Sequence, residues 1–356
     1  MSLSAPYDIH RRQIEAYLLA WNMPPATAAG TAEIMAWADL HGIDSHGISM
    51  IPTYDAHRRN GKMRMEAVPR VVKETPVSAL IDGDGGLGHP TSRLAMDTAI
   101  AKARTVGIGV VAVRNSSHFG ACGFYARMAA DAGLIGLVTT SASGIQVAPT
   151  GGRAARLGTD PIAFAAPGRD GEPFLLDMAT TTVAAGRIRN KANEGLQCPP
   201  GWVQTKDGLP STDPLEAREK GGFLTSLGGT AEGSSYKGYG LAAMVNILSS
   251  ALSGATMITD PTHTKIPGTM GIGHFFMALD PGLFRDPDDV RADIVSFCDA
   301  LRATPAVDPG TPVMVAGDPE RKRAAIRLQS GIPVAPGLHA QLRTVAEASG
   351  AAWLLG

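Results

Sequence analysis

Apolar side chains at the N-terminal end of the chain recur at helical spacing. Ile9, Ile14, Tyr17, Leu18 and Trp21 share one face, and Pro24-Pro25 opens a second run through Ala28, Ala32, Met35 and Ala38, so residues 7–41 read as two helices. A third helix is predicted from near Ser45, with Ile48, Ile51 and Tyr54 on one face and Pro52 kinking it or delaying its start. The period then changes. Residues 77–82 read as a strand, 92–105 as an alanine-rich helix and 107–113 as a second strand, an α/β alternation. Further strand-like runs lie at 134–140, 161–166, 174–177, 274–279 and 313–315. Several are joined through turns, so a mixed or largely antiparallel sheet fits the pattern as well as a parallel one. The longest apolar segment, 237–254, is interrupted by serines and reads as a buried or interface helix, too short and too polar to span a membrane. The polar, glycine-rich stretch 206–235 reads as a long loop, either a lid or specificity element or simply disordered.

Composition narrows the function classes. With 356 residues and 44% hydrophobic content the chain is long enough for two domains, or for one large domain with an extension, around a substantial core. A formal net charge of −1 gives no overall field favouring nucleic acid or an anionic membrane. Cys122, Cys198 and Cys298 are far apart without CxxC spacing, which fits a reducing compartment and argues against a disulfide framework or a thiolate zinc site. The N-terminal stretch lacks a basic start followed by an apolar run, so a cytoplasmic protein is expected.

One glycine motif invites a misreading. Gly83-Asp84-Gly85-Gly86-Leu87-Gly88 matches G-x-G-x-x-G, follows a strand and precedes a helix. The next strand, however, ends at Val113-Arg114-Asn115 with no carboxylate to hold a ribose 2′-hydroxyl. A tight glycine turn with no ligand is the expected reading.

The chemistry concentrates in two histidine clusters, Asp44-Ser45-His46-Gly47 and Ser116-Ser117-His118-Phe119-Gly120. Imidazole titrates nearest neutrality, so two of them held by small, turn-forming neighbours point to proton transfer. His41 and His46 fall on different helix faces, no metal-ligand spacing appears, and no serine sits in G-x-S-x-G, so neither a zinc site nor a nucleophile elbow is signalled. Ser45 has a plain alternative as a helix N-cap, a role contributing about 1 kcal/mol. His46 would then sit at a helix N-terminus, where the dipole lowers its pKa. His118 lies in a Ser/Gly-rich turn ahead of a predicted helix over 119–130, whose amides suit an anion such as a cofactor phosphate; the alternative is a histidine satisfied by its own turn. Asp177 could hold a ribose or cap the helix that follows it, and Lys237 could reach a phosphate or be solvated.

Taken together, Ser45-His46-Gly47, Asn115 to Gly120, Gly158 to Phe164, Asp177-Met178-Ala179-Thr180, Lys237 to Leu241 and Gly273 to Phe276 resemble, in order and over nearly the whole chain, the malate/L-lactate dehydrogenase family unrelated to the Rossmann-fold enzymes of those names. Ureidoglycolate, sulfolactate and hydroxycarboxylate dehydrogenases and piperideine-2-carboxylate reductase are among its relatives. The resemblance implies an α/β (α+β) fold whose largely antiparallel mixed sheet binds NAD(H) or NADP(H) outside the Rossmann plan, and a homodimer or higher assembly. It implies a helical region, 1–75, packing with 285–356, and a cofactor-binding and central sheet unit, 76–284, carrying the 206–235 loop. The expected reaction is hydride transfer between nicotinamide and a 2-oxo or 2-hydroxy acid, with cyclic-imine reduction or non-catalytic nucleotide binding as alternatives, and no metal.

Residue by residue, the resemblance implies His46 as proton donor with Ser45 beside it, and His118 as second catalytic candidate. Implied cofactor contacts are His118, Phe119, Gly120, Ala121, Thr140, Ser141, Asp177, Met178, Ala179, Lys237, Gly238, Gly317 and Asp318. Implied substrate contacts are Met50, Thr159, Ala185, Gly186 and Arg187. Met50 departs from the arginine that several relatives carry there to grip a carboxylate, so another cation binds the acid or that end of the substrate is apolar. Methionine here is similar to the hydroxycarboxylate dehydrogenase branch, which favours bulkier 2-oxo acids. Arg187 follows Gly186 where the imine reductases carry aspartate, which offers a replacement anion contact. Asp160 replaces a more usual asparagine.

Overall fold

The computed structural model describes residues 3–142, 144–169, 171–259 and 269–356. In chain order the elements are β1 (Leu3–Ala5), α1 (Tyr7–Ala20), α2 (Pro25–Leu40), a 3₁₀ turn at Ile48–Met50, α3 (Ile51–Arg59), β2 (Arg70–Glu74), β3 (Ser78–Asp82), α4 (Gly88–Val106), β4 (Ile108–Ser116), α5 (Cys122–Asp131) and β5 (Ile135–Thr140). There follow β6 (Ile162–Arg169), β7 (Glu172–Met178), α6 (Ala185–Asn193), the short strands β8 (Val203–Gln204), β9 (Pro210–Ser211) and β10 (Phe223–Leu224), α7 (Tyr236–Asn246), which runs on as a π-helical turn at Ile247–Ala251, β11 (Ile272–Leu279), α8 (Pro287–Arg302), α9 (Asp318–Ser330), β12 (Ile332–Val334) and α10 (Pro336–Ser349).

The centre is a seven-stranded sheet in the order β2-β3-β4-β11-β5-β6-β7. Only β3 and β4 run parallel, joined through α4; the other neighbours are antiparallel. This is the mixed, largely antiparallel sheet expected. α4 and α5 lie on it through alanine faces, Ala95, Ala99 and Ala103 on one and Ala126 and Ala129 on the other, all fully buried with Val111, Val113, Val138 and Phe276. Small side chains let helix and sheet approach closely, which suits a core built from backbone proximity and dispersion.

A second core joins the two ends of the chain. Ile14, Tyr17 and Leu18 of α1 and Ala28, Ala32 and Met35 of α2 meet Leu342 and Val345 of α10. Tyr17 donates its hydroxyl to the Leu342 carbonyl at 2.8 Å, and β1 pairs with β12. α8 packs on β6 instead. A third, smaller core of Val147, Leu157, Val183, Ile188, Val203 and Leu224 lies under the three-stranded sheet β10-β8-β9.

Several local expectations are corrected. Pro52 sits in the first turn of α3 and sets its start, so the helix does not begin near Ser45. α5 begins at Cys122 rather than 119 because Gly120, at φ +80°, turns the chain first. Residues 313–315 form no strand; one bond, from the Leu175 amide to the Ala316 carbonyl, runs alongside β7, and the following turn leads into α9. The 206–235 segment is ordered by β9, β10 and its packing on the third core.

Candidate functional site

The Asp44 to Ile48 turn is pinned from two sides. Arg327 of α9 forks onto the Asp44 carboxylate, with one bond at 3.0 Å, and also reaches the Asp39 carbonyl. The buried Asp39 side chain bonds His10 at 2.7 Å and accepts the Ile48 amide at 2.7 Å. It lies so close to Gly47 that an added Cβ would land inside the carboxyl group, which explains the glycine after the histidine. Ser45 caps no helix. Its hydroxyl bonds His46 Nδ1 at 2.7 Å. His46 therefore owes its lowered pKa to burial rather than to a helix terminus.

His118 comes from the loop between β4 and α5, and its ring centroid lies 5.3 Å from that of His46. The Tyr54 hydroxyl of α3 bonds His118 Nδ1 at 2.6 Å, and the Gly120 amide approaches the same nitrogen at 3.4 Å. Burial raises the Tyr54 pKa, so the phenol stays protonated, and because the Gly120 amide can only donate, Nδ1 is the acceptor and the Tyr54 hydroxyl donates to it. Two donors on Nδ1 place the proton of neutral His118 on Nε2. Burial, with the neighbouring imidazoles His46 and His89 disfavouring a further positive charge, lowers the His118 pKa well below its ordinary value. His89 is fully buried behind this pair, edge-on to Tyr54 and tight against Gly120, where a Cβ would stand 2.6 Å from its Nε2. Beneath the loop, His274 of β11 stacks on Phe119 at 4.6 Å and bonds Thr140 at 2.7 Å and Ser116 at 2.9 Å, tying the three central strands together.

A cleft of about 420 Å³ opens at Ser45, the residue before His46. Ser45, Met50, Ala185 and Gly186 line it, together with Gln146, Ile188, Leu224, Arg189 and Arg218. The structure thus gathers most of the substrate contacts the resemblance implies, while Arg187 is exposed outside the lining. Thr159 is half-buried, its carbonyl accepting the Thr180 amide at 2.9 Å. Asp160 gains a role: its two oxygens accept the Ala142 and Gly158 amides, each at 3.0 Å, and join two loops.

The residues matched to cofactor contacts are more scattered. Asp177, at the end of β7, caps α5 by accepting the Gly123 amide at 2.6 Å, not the helix that follows it. That carboxylate occupies the amide an anion would need at the head of α5. Its Oδ1 takes no hydrogen bond among the described residues, and desolvation, opposed by the Gly123 bond, raises the group to about 6. Met178 and Ala179, next along the chain, are half-buried. The Thr140 and Ser141 hydroxyls turn into the sheet toward His274 and Gly273. Lys237 is exposed without an ion pair among the described residues, and Gly238 is buried against Leu227. Asp318 is engaged by Arg302 and Arg321, which lower its pKa, while Gly317 lies beside Leu175 of β7.

The glycine motif at 83–88 holds no ligand cradle. The amides of Gly83, Gly85, Gly86 and Gly88 go to the carbonyls of Arg114, Asn115, Gly83 and His118, at 2.9 to 3.1 Å. None is left for a pyrophosphate.

The model of the family described as malate/L-lactate dehydrogenase matches residues 6–343. The chain belongs to that family. It is 37% identical over 329 residues to a malate dehydrogenase of Pyrococcus horikoshii, covering 92% of this chain and 90% of the relative. It is 34% identical over 334 residues to an L-sulfolactate dehydrogenase of Methanocaldococcus jannaschii, covering 92% of each. The crystal structure of malate dehydrogenase from Entamoeba histolytica superposes with a TM-score of 0.93 at 29% identity, covering 99% of both chains. Membership carries the coarse activity with it, an oxidoreductase of the dehydrogenase type acting on a hydroxy acid. Among the described residues no cluster of three or more potential metal ligands gathers, and no helix is long and apolar enough to cross a membrane.

Sequence reasoning missed Tyr54, Asp39, Arg327, Arg189 and Arg218 as site residues. Tyr54 carried only a helix-face signal, and the others come from distant segments whose convergence has no local signature.

Proposed function

We propose that the protein interconverts a 2-oxo acid and its 2-hydroxy acid by hydride exchange with NAD(H) or NADP(H), His46 moving the proton. The observation that carries this is the different partnering of two adjacent imidazoles. His46 is bonded at Nδ1 by a serine hydroxyl, which can donate or accept, so the ring can gain and lose a proton at Nε2. His118 is bonded at Nδ1 by Tyr54, which leaves Nε2–H as a neutral donor suited to polarising a carbonyl.

Bound, the nicotinamide supplies the hydride in reduction and accepts it in oxidation. The chain offers groups that fit the rest of such a cofactor: the second oxygen of Asp177 for a ribose hydroxyl and the unpaired Lys237 ammonium for a phosphate. In reduction the carbonyl oxygen takes the proton from His46 as the carbon becomes tetrahedral; in oxidation neutral His46 takes it back. The lowered pKa of His46 favours that base form near neutrality. A homodimer or larger assembly is consistent with Ile247 and Leu252, each 60% exposed after α7.

An absorbance screen with both cofactors, a range of 2-oxo acids and piperideine-2-carboxylate tests the reaction class. Turnover of 2-oxo acids is expected, and turnover of the imine alone would replace the reading with cyclic-imine reduction. His46→Ala is expected to lower turnover by about two to four orders of magnitude with cofactor binding retained, the usual scale of a general acid. Unchanged turnover would remove His46 from its role.

A further inference from the structure

The cleft at Ser45, the residue before His46, is lined by two exposed arginines, Arg189 and Arg218, and by no carboxylate. Arg189 belongs to α6 and Arg218 to the segment between β9 and β10, so they meet only in the folded chain. Arg189 stands over Gly186, 4.0 Å from where a Cβ would be, and has no hydrogen bond or ion pair among the described residues. Arg218 makes one long bond, 3.4 Å to Asn193. The nearby carboxylates Asp213 and Glu216 are held by Lys220 instead, at 2.6 and 3.9 Å. Two unneutralised guanidinium groups lining one cleft attract an anion, and their planar forks match a carboxylate.

We infer that Arg189 and Arg218 form the carboxylate clamp of this cleft, leaving the surface of Met50, Ile188 and Leu224 for the apolar side chain of a singly charged 2-oxo acid. The inference rests on the hydroxy-acid reading above and names its substrate class. Met50 places a thioether on the α3 side, so the acid group is held from α6 and the β9–β10 segment while the α3 side accepts hydrocarbon. A volume of about 420 Å³ leaves space for a branched or aromatic side chain beyond the oxo-acid group.

Oxamate, an unreactive analogue of the carboxylate and carbonyl, is titrated calorimetrically into the full chain with and without NADH. Arg189→Ala and Arg218→Ala are each expected to weaken oxamate at least tenfold, and the double variant at least a hundredfold, with NADH affinity unchanged. Met50→Arg is expected to raise turnover of oxaloacetate relative to 4-methyl-2-oxopentanoate at least tenfold. Melting temperatures equal to that of the starting protein establish that the variants fold. Oxamate binding untouched by both arginine substitutions, lost with Arg187→Ala instead, or absent from the unsubstituted protein overturns the clamp. Turnover of 2-oxo acids that survives the double substitution also overturns it, while leaving hydride transfer standing. Oxamate bound through both arginines with no acid turned over by either cofactor overturns hydride transfer and leaves the clamp.

Discussion

Tyr54→Phe isolates the device that separates the two histidines. The substitution removes one oxygen from a side chain that is 1% exposed and leaves its ring packed against His89 and His118. His118 Nδ1 then keeps only the Gly120 amide at 3.4 Å, a poor bond by distance. A buried hydrogen bond of this kind contributes about 0.5–1.5 kcal/mol net. Since about 1.4 kcal/mol is a factor of ten, the preference for the Nε2–H form weakens up to about tenfold, and kcat/KM is expected to fall by about that factor. Two measurements report it. Nitrogen-15 spectra of histidine-labelled protein are expected to show an unprotonated Nδ1 on His118, and the substitution should shift that resonance toward a tautomer mixture. Steady-state kinetics should show the loss in turnover while NADH binding stays constant. A protonated Nδ1 in the unsubstituted protein, or kcat/KM within twofold after substitution, would refute the reasoning.

Gly47→Ala drives a methyl group into the Asp39 carboxyl, which holds His10 and the Ile48 amide. Disruption of such a buried pair costs about 3–5 kcal/mol, so a lower melting temperature and reduced turnover are expected, and a protein unchanged in both would show that the turn tolerates the displacement. His89 is held neutral, its pKa lowered by burial to about 3 from an ordinary 6.5. Its contribution to stability is complete above that ordinary value and is lost as pH falls toward the folded one, at about 1.4 kcal/mol per unit. His89→Gln should remove that slope from urea unfolding measured between pH 6.5 and 4, and identical slopes would exclude it. Asp84→Asn removes the charge paired with Arg64 and weakens the acceptor of the Val68 amide, and is expected to leave NADH affinity within twofold; a large loss would return the glycine turn to consideration as a cofactor site.

The chain's local patterns determined much of this protein. Helical spacing located α1 and α2, Pro25 marked the start of α2, and alternating or apolar runs located β3, β4, β5, β6, β7 and β11 within a few residues, because burial of one face imposes those periods. The histidine motifs were visible because small neighbours mark turns. What lay beyond reading was every relation between distant segments. Nothing near Ser45 announces that Asp39 lies behind Gly47 or that Arg327, far along the chain, holds Asp44. The helix-cap alternative for Ser45 failed because the same hydroxyl can serve a helix or an imidazole, and the position of Pro52 in the first turn of α3 settled the choice. The glycine motif at 83–88 matches a phosphate cradle by spacing but was expected to hold no ligand because no carboxylate follows it, and the β4 loop folded over it takes up its amides. The sequence singled out Arg187, but both Arg187 and Arg189 are exposed on α6 and only Arg189 lines the cleft. Local pattern decides which backbone conformations are favourable. Tertiary packing decides which polar groups remain unpaired, and those unpaired groups are where chemistry can occur.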